Sequence, residues 1–170
     1  MKSVLMVVML LAVGTALQAG EKKPGPSPLG SLVSLAGNWS GEADMMHNGK
    51  KSPISISYKL TSGDSVLVET MMVGTPHEMV TIYTRDKGDF VCTHYCMMQN
   101  QPRMRAKDTL ADKKLDFQFA DATGLDSPND PHMHSLTIDF QDADHITETW
   151  SHFEDGKETS KTVFPLTRQK

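Results

Sequence analysis

The chain has 170 residues and a formal charge of −4 at neutral pH. A mildly acidic protein without basic runs offers no electrostatic basis for nucleic acid or an anionic membrane as a partner. Beyond its first thirty or so residues the length, about 140, suits one domain with one core.

The N-terminus has the layout of a secretory signal peptide. Lys2 supplies a short positive region, Ser3 to Val13 is almost wholly apolar, and Gly14 to Ala19 is rich in small residues. Cleavage is expected after Ala19, with Ala16 as the second choice. The apolar run is too short for a good transmembrane helix, and no second long apolar stretch follows. Losing residues 1–19 removes Lys2 and no acid, which moves the formal charge to about −5. Residues 20–31 hold Lys22, Lys23, Pro24, Gly25, Pro26 and Pro28, the composition of a flexible leader. The sequence therefore predicts an exported protein, periplasmic or secreted, with its domain over residues 32–170.

Pro28 to Ala36 predicts one or two helical turns with Leu29, Leu32, Val33 and Leu35 on one side, ended by Gly37-Asn38. Beyond that point the helical period is lost. Ten strands are predicted: Trp39–Met46, Pro53–Leu60, Val66–Val73, Met79–Arg85, Phe90–Met97, Arg103–Thr109, Lys114–Phe119, His134–Phe140, His145–Phe153 and Lys161–Leu166. Short turns such as Asn48-Gly49, Ser62-Gly63-Asp64 and Asp155-Gly156-Lys157 make successive strands antiparallel. Alternation is clearest in Leu115/Phe117/Phe119, in Leu136/Ile138/Phe140 and in Ile54/Ile56/Tyr58. The expected fold is all-β: an antiparallel up-and-down barrel of about ten strands with a short helix at its closed end. The one long connection, Ala120 to Pro131, is expected to cover the mouth.

The stretch from Phe90 to Arg105 carries the strongest chemical signal. One strand face bears Cys92, His94, Cys96 and Met98. The two cysteines lie four apart, about 13 Å along a strand, so they are expected to stay free thiols rather than form a disulfide. His94 and Cys96 are expected inside the barrel, with Cys92 near its rim. Parity with Leu136, Ile138 and Phe140 turns His134 inward as well. His94, Cys96 and His134 would then make a site for copper or zinc, or else serve as polar contacts in a cavity. Arg103 and Arg105 share a face. Turned inward they form a fork for an acidic head group; turned outward they leave Met104 and Ala106 facing in. Met45-Met46-His47, Met71-Met72, His77-Glu78-Met79, Met97-Met98, Met104 and Met133 offer the thioether and imidazole donors that exported copper-handling proteins use for Cu(I), but the methionine pairs fall within predicted strands, where one of each faces in, and packing is the preferred reading. No nucleophile elbow, zinc-protease helix or glycine-rich phosphate loop is present, and nothing specifies a cofactor.

Gly37-Asn38-Trp39 at the first strand, with Phe164-Pro165-Leu166-Thr167-Arg168 at the last, resembles the calycin superfamily of lipocalins, fatty-acid-binding proteins and nitrobindin-like barrels. The resemblance implies that Arg168 packs over Trp39 at the closed end. Thr93-His94-Tyr95-Cys96, Asn100-Gln101-Pro102-Arg103-Met104, Asp144-His145-Ile146 and Trp150 resemble a group of exported bacterial lipocalin-like proteins of unassigned function. Gly41-Glu42-Ala43 lacks nitrobindin's glycine-rich continuation, so a haem role does not carry over. A barrel of this size encloses one ligand. The expected function is binding of a small apolar or amphipathic molecule, with His94, Cys96, Arg103 and His134 as its polar contacts. An enzyme acting on the enclosed molecule through Cys96 or His94 is the weaker alternative.

Overall fold

A computed structural model describes residues 27–109 and 113–170. The signal-like segment and the leader up to residue 26 lie outside the described residues. Ten strands form one closed antiparallel barrel in which each pairs with its neighbours in sequence and the last returns to the first. They are β1 (Gly37–Ala43), β2 (Ser52–Thr61), β3 (Val66–Met71), β4 (Met79–Asp86), β5 (Asp89–Tyr95), β6 (Gln101–Lys107), β7 (Lys114–Thr123), β8 (His132–Phe140), β9 (His145–Glu154) and β10 (Lys157–Arg168). Closure leaves no unpaired edge, which is how an all-β chain of this length avoids edge-to-edge association. No helix among the described residues is long and apolar enough to cross a membrane.

The expected helix at the closed end is instead a short 3-10 segment, Gly30–Leu35. The correction has a simple cause. Leu29, Leu32 and Leu35 recur every three residues, and all three are fully buried. That period stacks them on one side of a three-residue turn, whereas an α-helix would splay them. The segment plugs one end of the barrel.

Arg168 ties this end together. Its guanidinium lies 4.2 Å over the Trp39 ring. It donates to Ala36 O at 2.8 Å, Ser34 O at 2.6 Å and Ala143 O at 3.0 Å. Trp39 Nε1 donates to Leu35 O at 2.8 Å. Gly37 stands where a Cβ would come within 2.8 Å of Arg168 Nη1, and its φ of +133° suits glycine alone. The glycine, tryptophan and arginine of the terminal motifs are thus one closure. Arg168→Ala removes three carbonyl partners and a cation–π contact at once. It is expected to cost about 2 kcal/mol in urea unfolding, with Arg168→Lys recovering less than half.

The interior forms rows set by strand register. Leu67, Tyr83, Cys92 and Met104 are successive cross-strand partners over β3 to β6, and all are buried. Cys92 is therefore deep in the core and not near the rim. Both cysteines are free thiols, as their spacing requires.

Candidate functional site

The end opposite the plug opens into a cavity of about 590 Å³. His94 and Cys96 are in its wall, with Trp150 and Phe164. Of the chain's twelve methionines three fall within residues 1–26, and eight of the other nine line this one cavity. Met104, in the core, is the exception.

The methionine pairs do not divide between inside and outside, because they sit where the strands stop. Met45 and Met46 follow the end of β1, Met72 follows β3 with a φ of +58°, and Met97 and Met98 follow β5. Past the last ladder bond strand alternation no longer applies, so both members of each pair reach the mouth. Met46 and Met97 are the most open, at 78% and 50% exposure. His47, His77 and His152 also line the cavity.

Below the methionines lies a buried polar network. Register makes Tyr58, Glu69, Thr81 and His94 direct neighbours across β2, β3, β4 and β5. Thr81 Oγ1 lies 3.0 Å from His94 Nδ1, and Tyr83 Oη donates to Glu69 Oε2 at 2.6 Å. Tyr58 Oη donates to Glu148 Oε1 from across the barrel. Trp150 Nε1 donates to Glu148 Oε2 at 3.1 Å, and its ring packs 4.6 Å from that of His94. Glu69 Oε1 has no hydrogen-bond partner among the described residues.

Burial sets the protonation states. It pushes Glu69 well above the ordinary carboxyl range, with the Glu148 charge adding to the effect. Glu148 is also raised by burial, against the pull of its Tyr58 and Trp150 bonds. Two carboxyls in one dry network cannot both ionise readily. Burial pushes His94 down to about 4, so it is a neutral imidazole at neutral pH. Its Nδ1 is engaged by Thr81, and Nε2 is the nitrogen left for the cavity.

The other expected contacts lie elsewhere. His134 does not face the cavity. The β8–β9 register shifts between Met133 and Ser135, so the inward position passes to Met133, which pairs with His152. His134 is sandwiched between Phe153 at 3.8 Å and Phe119 at 4.7 Å, and its Nδ1 lies 3.0 Å from His132 Nε2. The cluster of His94, Cys96 and His134 is thus not assembled. Among the described residues no three His, Cys, Asp or Glu side chains converge for a metal. Arg103 faces outward and pairs with Asp121, and Arg105 pairs with Asp86 at 3.0 Å. Met104 and Ala106 take the inward positions of β6. The connection before β8 does not line the cavity. It is pinned beside it by Asn100 Nδ2 donating to Pro131 O at 2.8 Å and Asp155 N to Asn129 O at 2.9 Å. Burial raises the Cys96 thiol, the reverse of an activated nucleophile.

The sequence does not mark Glu69, Glu148 or His152 as site residues. Parity places two of them: Glu69 lies between Leu67 and Met71, and Glu148 between Ile146 and Trp150, each with inward neighbours.

No family model matches the chain, and no curated protein does. Among solved structures it is similar to Rv2717c from M. tuberculosis, with a TM-score of 0.63 and 16% identity over 87% of this chain and all of that one. It is also similar to a protein of unknown function from the DUF3598 family of Nostoc punctiforme, with a TM-score of 0.58 and 13% identity over 84% of this chain and 50% of that one. At such identities the likeness is one of fold alone.

Proposed function

We propose that this protein is an exported, calycin-like carrier that holds one small, mostly apolar molecule in the methionine-lined cavity, oriented by His94. The observation that carries the reading is the cavity itself. It is open at one end, walled by thioethers, Trp150 and Phe164, and has a neutral imidazole presented by a buried network. Few polar groups in a concave apolar wall is the usual composition of a small-molecule site. Export follows from the signal-like N-terminus and belongs to the same proposal.

Titration with the neutral fluorophore N-phenyl-1-naphthylamine tests it. Saturable one-site binding is expected, displaced by 2-nonanone about tenfold better than by nonane because the ketone can meet His94. Met79→Trp narrows the cavity and should weaken binding in a folded barrel. His94→Phe should keep binding and erase the ketone preference. Absence of saturable binding, or full binding by folded Met79→Trp, would reject the reading.

A further inference from the structure

We propose that the outer half of the cavity is a binding site for a soft monovalent cation, Cu(I) or Ag(I), with His47, Met133 and His152 as its ligands. The inference is separate from the apolar ligand and rests on where sulfur is placed.

The cavity wall contains no leucine, isoleucine or valine. The rest of the core is built from them: Leu67, Leu115, Leu136, Ile56, Ile138 and others are all buried. A wall that needed only to be apolar would use the same residues. Ordering a methionine costs up to about 2 kcal/mol in side-chain entropy, against about 0.5–1 for leucine or isoleucine. Concentrating eight methionines at one mouth therefore calls for a property the aliphatics lack. The thioether sulfur is that property, a neutral and polarisable donor.

The donors line one side of the mouth. Met133 and His152 are direct partners across β8 and β9, which puts their Cβ atoms about 5 Å apart on the cavity face. His152 Nδ1 lies 2.6 Å from Thr159 Oγ1, leaving Nε2 for a ligand. His47 reaches over from the β1–β2 turn, its Nε2 lying 3.3 Å from Thr162 Oγ1 on β10. Thr162 stands two residues from Ser160, the cross-strand partner of His152.

The donor set also selects the ion. Zinc wants four ligands drawn from thiolate, imidazole and carboxylate, and no three such side chains converge among the described residues. Two imidazoles completed by a thioether form an all-neutral, soft set, which suits a monovalent d10 ion. Met46 and Met97, exposed at the rim, give an entering ion further sulfur to exchange onto.

The test is a titration of the full chain with Cu(I), kept reduced by ascorbate under nitrogen, in competition with bicinchoninate. Ag(I) and Zn(II) are run in parallel. One equivalent of Cu(I) or Ag(I) is expected to bind, with Zn(II) at least a hundredfold weaker. Met133→Leu and His152→Phe should each weaken Cu(I) by about tenfold or more. Met104→Leu, which alters the one methionine among the described residues that does not line the cavity, should change nothing. X-ray absorption of the copper form should show both sulfur and nitrogen neighbours. The proposal is overturned if bicinchoninate takes all the copper, if Zn(II) binds as tightly, or if Met133→Leu and His152→Phe match the wild type. Met133→Leu should still bind the naphthylamine. Loss of naphthylamine binding in the wild type with Cu(I) retained would sink the carrier reading and leave this one standing; the reverse would sink this one alone.

Discussion

Replacing Gly41 by alanine is expected to cost about 4 kcal/mol or more and to open the barrel at its seam. Gly41 lies in β1 opposite Leu166 of β10. A Cβ there would stand 2.0 Å from the carbonyl oxygen of Pro165. The obstacle is backbone and no rotamer relieves it. The strands must separate where the ring can least spare contact, because β1 and β10 share three register pairs against seven between β1 and β2. Gly63 is the control. It has a φ of +64° but nothing within 4 Å of a Cβ, so Gly63→Ala should cost only about 1 kcal/mol in backbone strain. Urea unfolding followed by tryptophan emission measures both. Equal small losses at the two sites would show that the seam moves apart freely and that the close approach has no energetic weight.

The architecture was legible in the sequence because its signals are local. Strand alternation, turn residues and the two terminal motifs each act over a few positions, and all ten expected strands form in the expected order, with ends that differ by as much as four residues. The strands that stopped early misplaced the site. Extending β1 to Met46, β3 to Val73 and β5 to Met97 assigned inside or outside by parity to methionines that actually sit on the rim. His134 failed for a related reason. A single shift of register in β8 passes the inward position to Met133, and bulges leave no reliable mark in a sequence. Arg103 was a choice between two faces of β6, and burial of Met104 decided it. Glu69 and Glu148 could have been found by parity. They were missed because a glutamate in a strand is usually solvated, and what makes these two different is the contact of Tyr58 with Glu148 across the barrel, 90 residues away in sequence. The convergence of methionines is likewise tertiary, drawn from the ends of separate strands.

The buried carboxyls should make this barrel lose stability as pH rises above the ordinary carboxyl range. Glu69 and Glu148 have carboxyls raised above their unfolded value, so the native state keeps a proton that the unfolded chain has released. Their stabilisation is complete below the unfolded carboxyl range near 4.5 and is lost as pH climbs towards their folded values. His94 acts in the opposite sense. Lowered to about 4 from 6.5, it favours folding progressively across that interval, and the lowered His134 and His152 follow the same sign. The two trends oppose each other below pH 6.5. Above it the imidazoles are neutral in both states, and Cys92, Tyr58 and Tyr83, all raised by burial, add their own loss only at higher pH. Each proton that the carboxyls retain adds a slope of up to about 1.4 kcal/mol per pH unit, and comparison with a variant lacking both carboxyls isolates it from the histidines. Urea unfolding from about pH 5 to 8.5 should show the wild type losing stability relative to Glu69→Gln/Glu148→Gln as pH rises. Glu148→Ala is a harsher change. It strands the Tyr58 hydroxyl and the Trp150 indole N–H in a dry interior and leaves a void, for an expected cost of about 3–4 kcal/mol. Glu148→Gln keeps one acceptor and should cost about half as much. A wild type that keeps a constant offset from the double glutamine variant at every pH would mean that the pair holds no extra proton and that the network is solvated in solution.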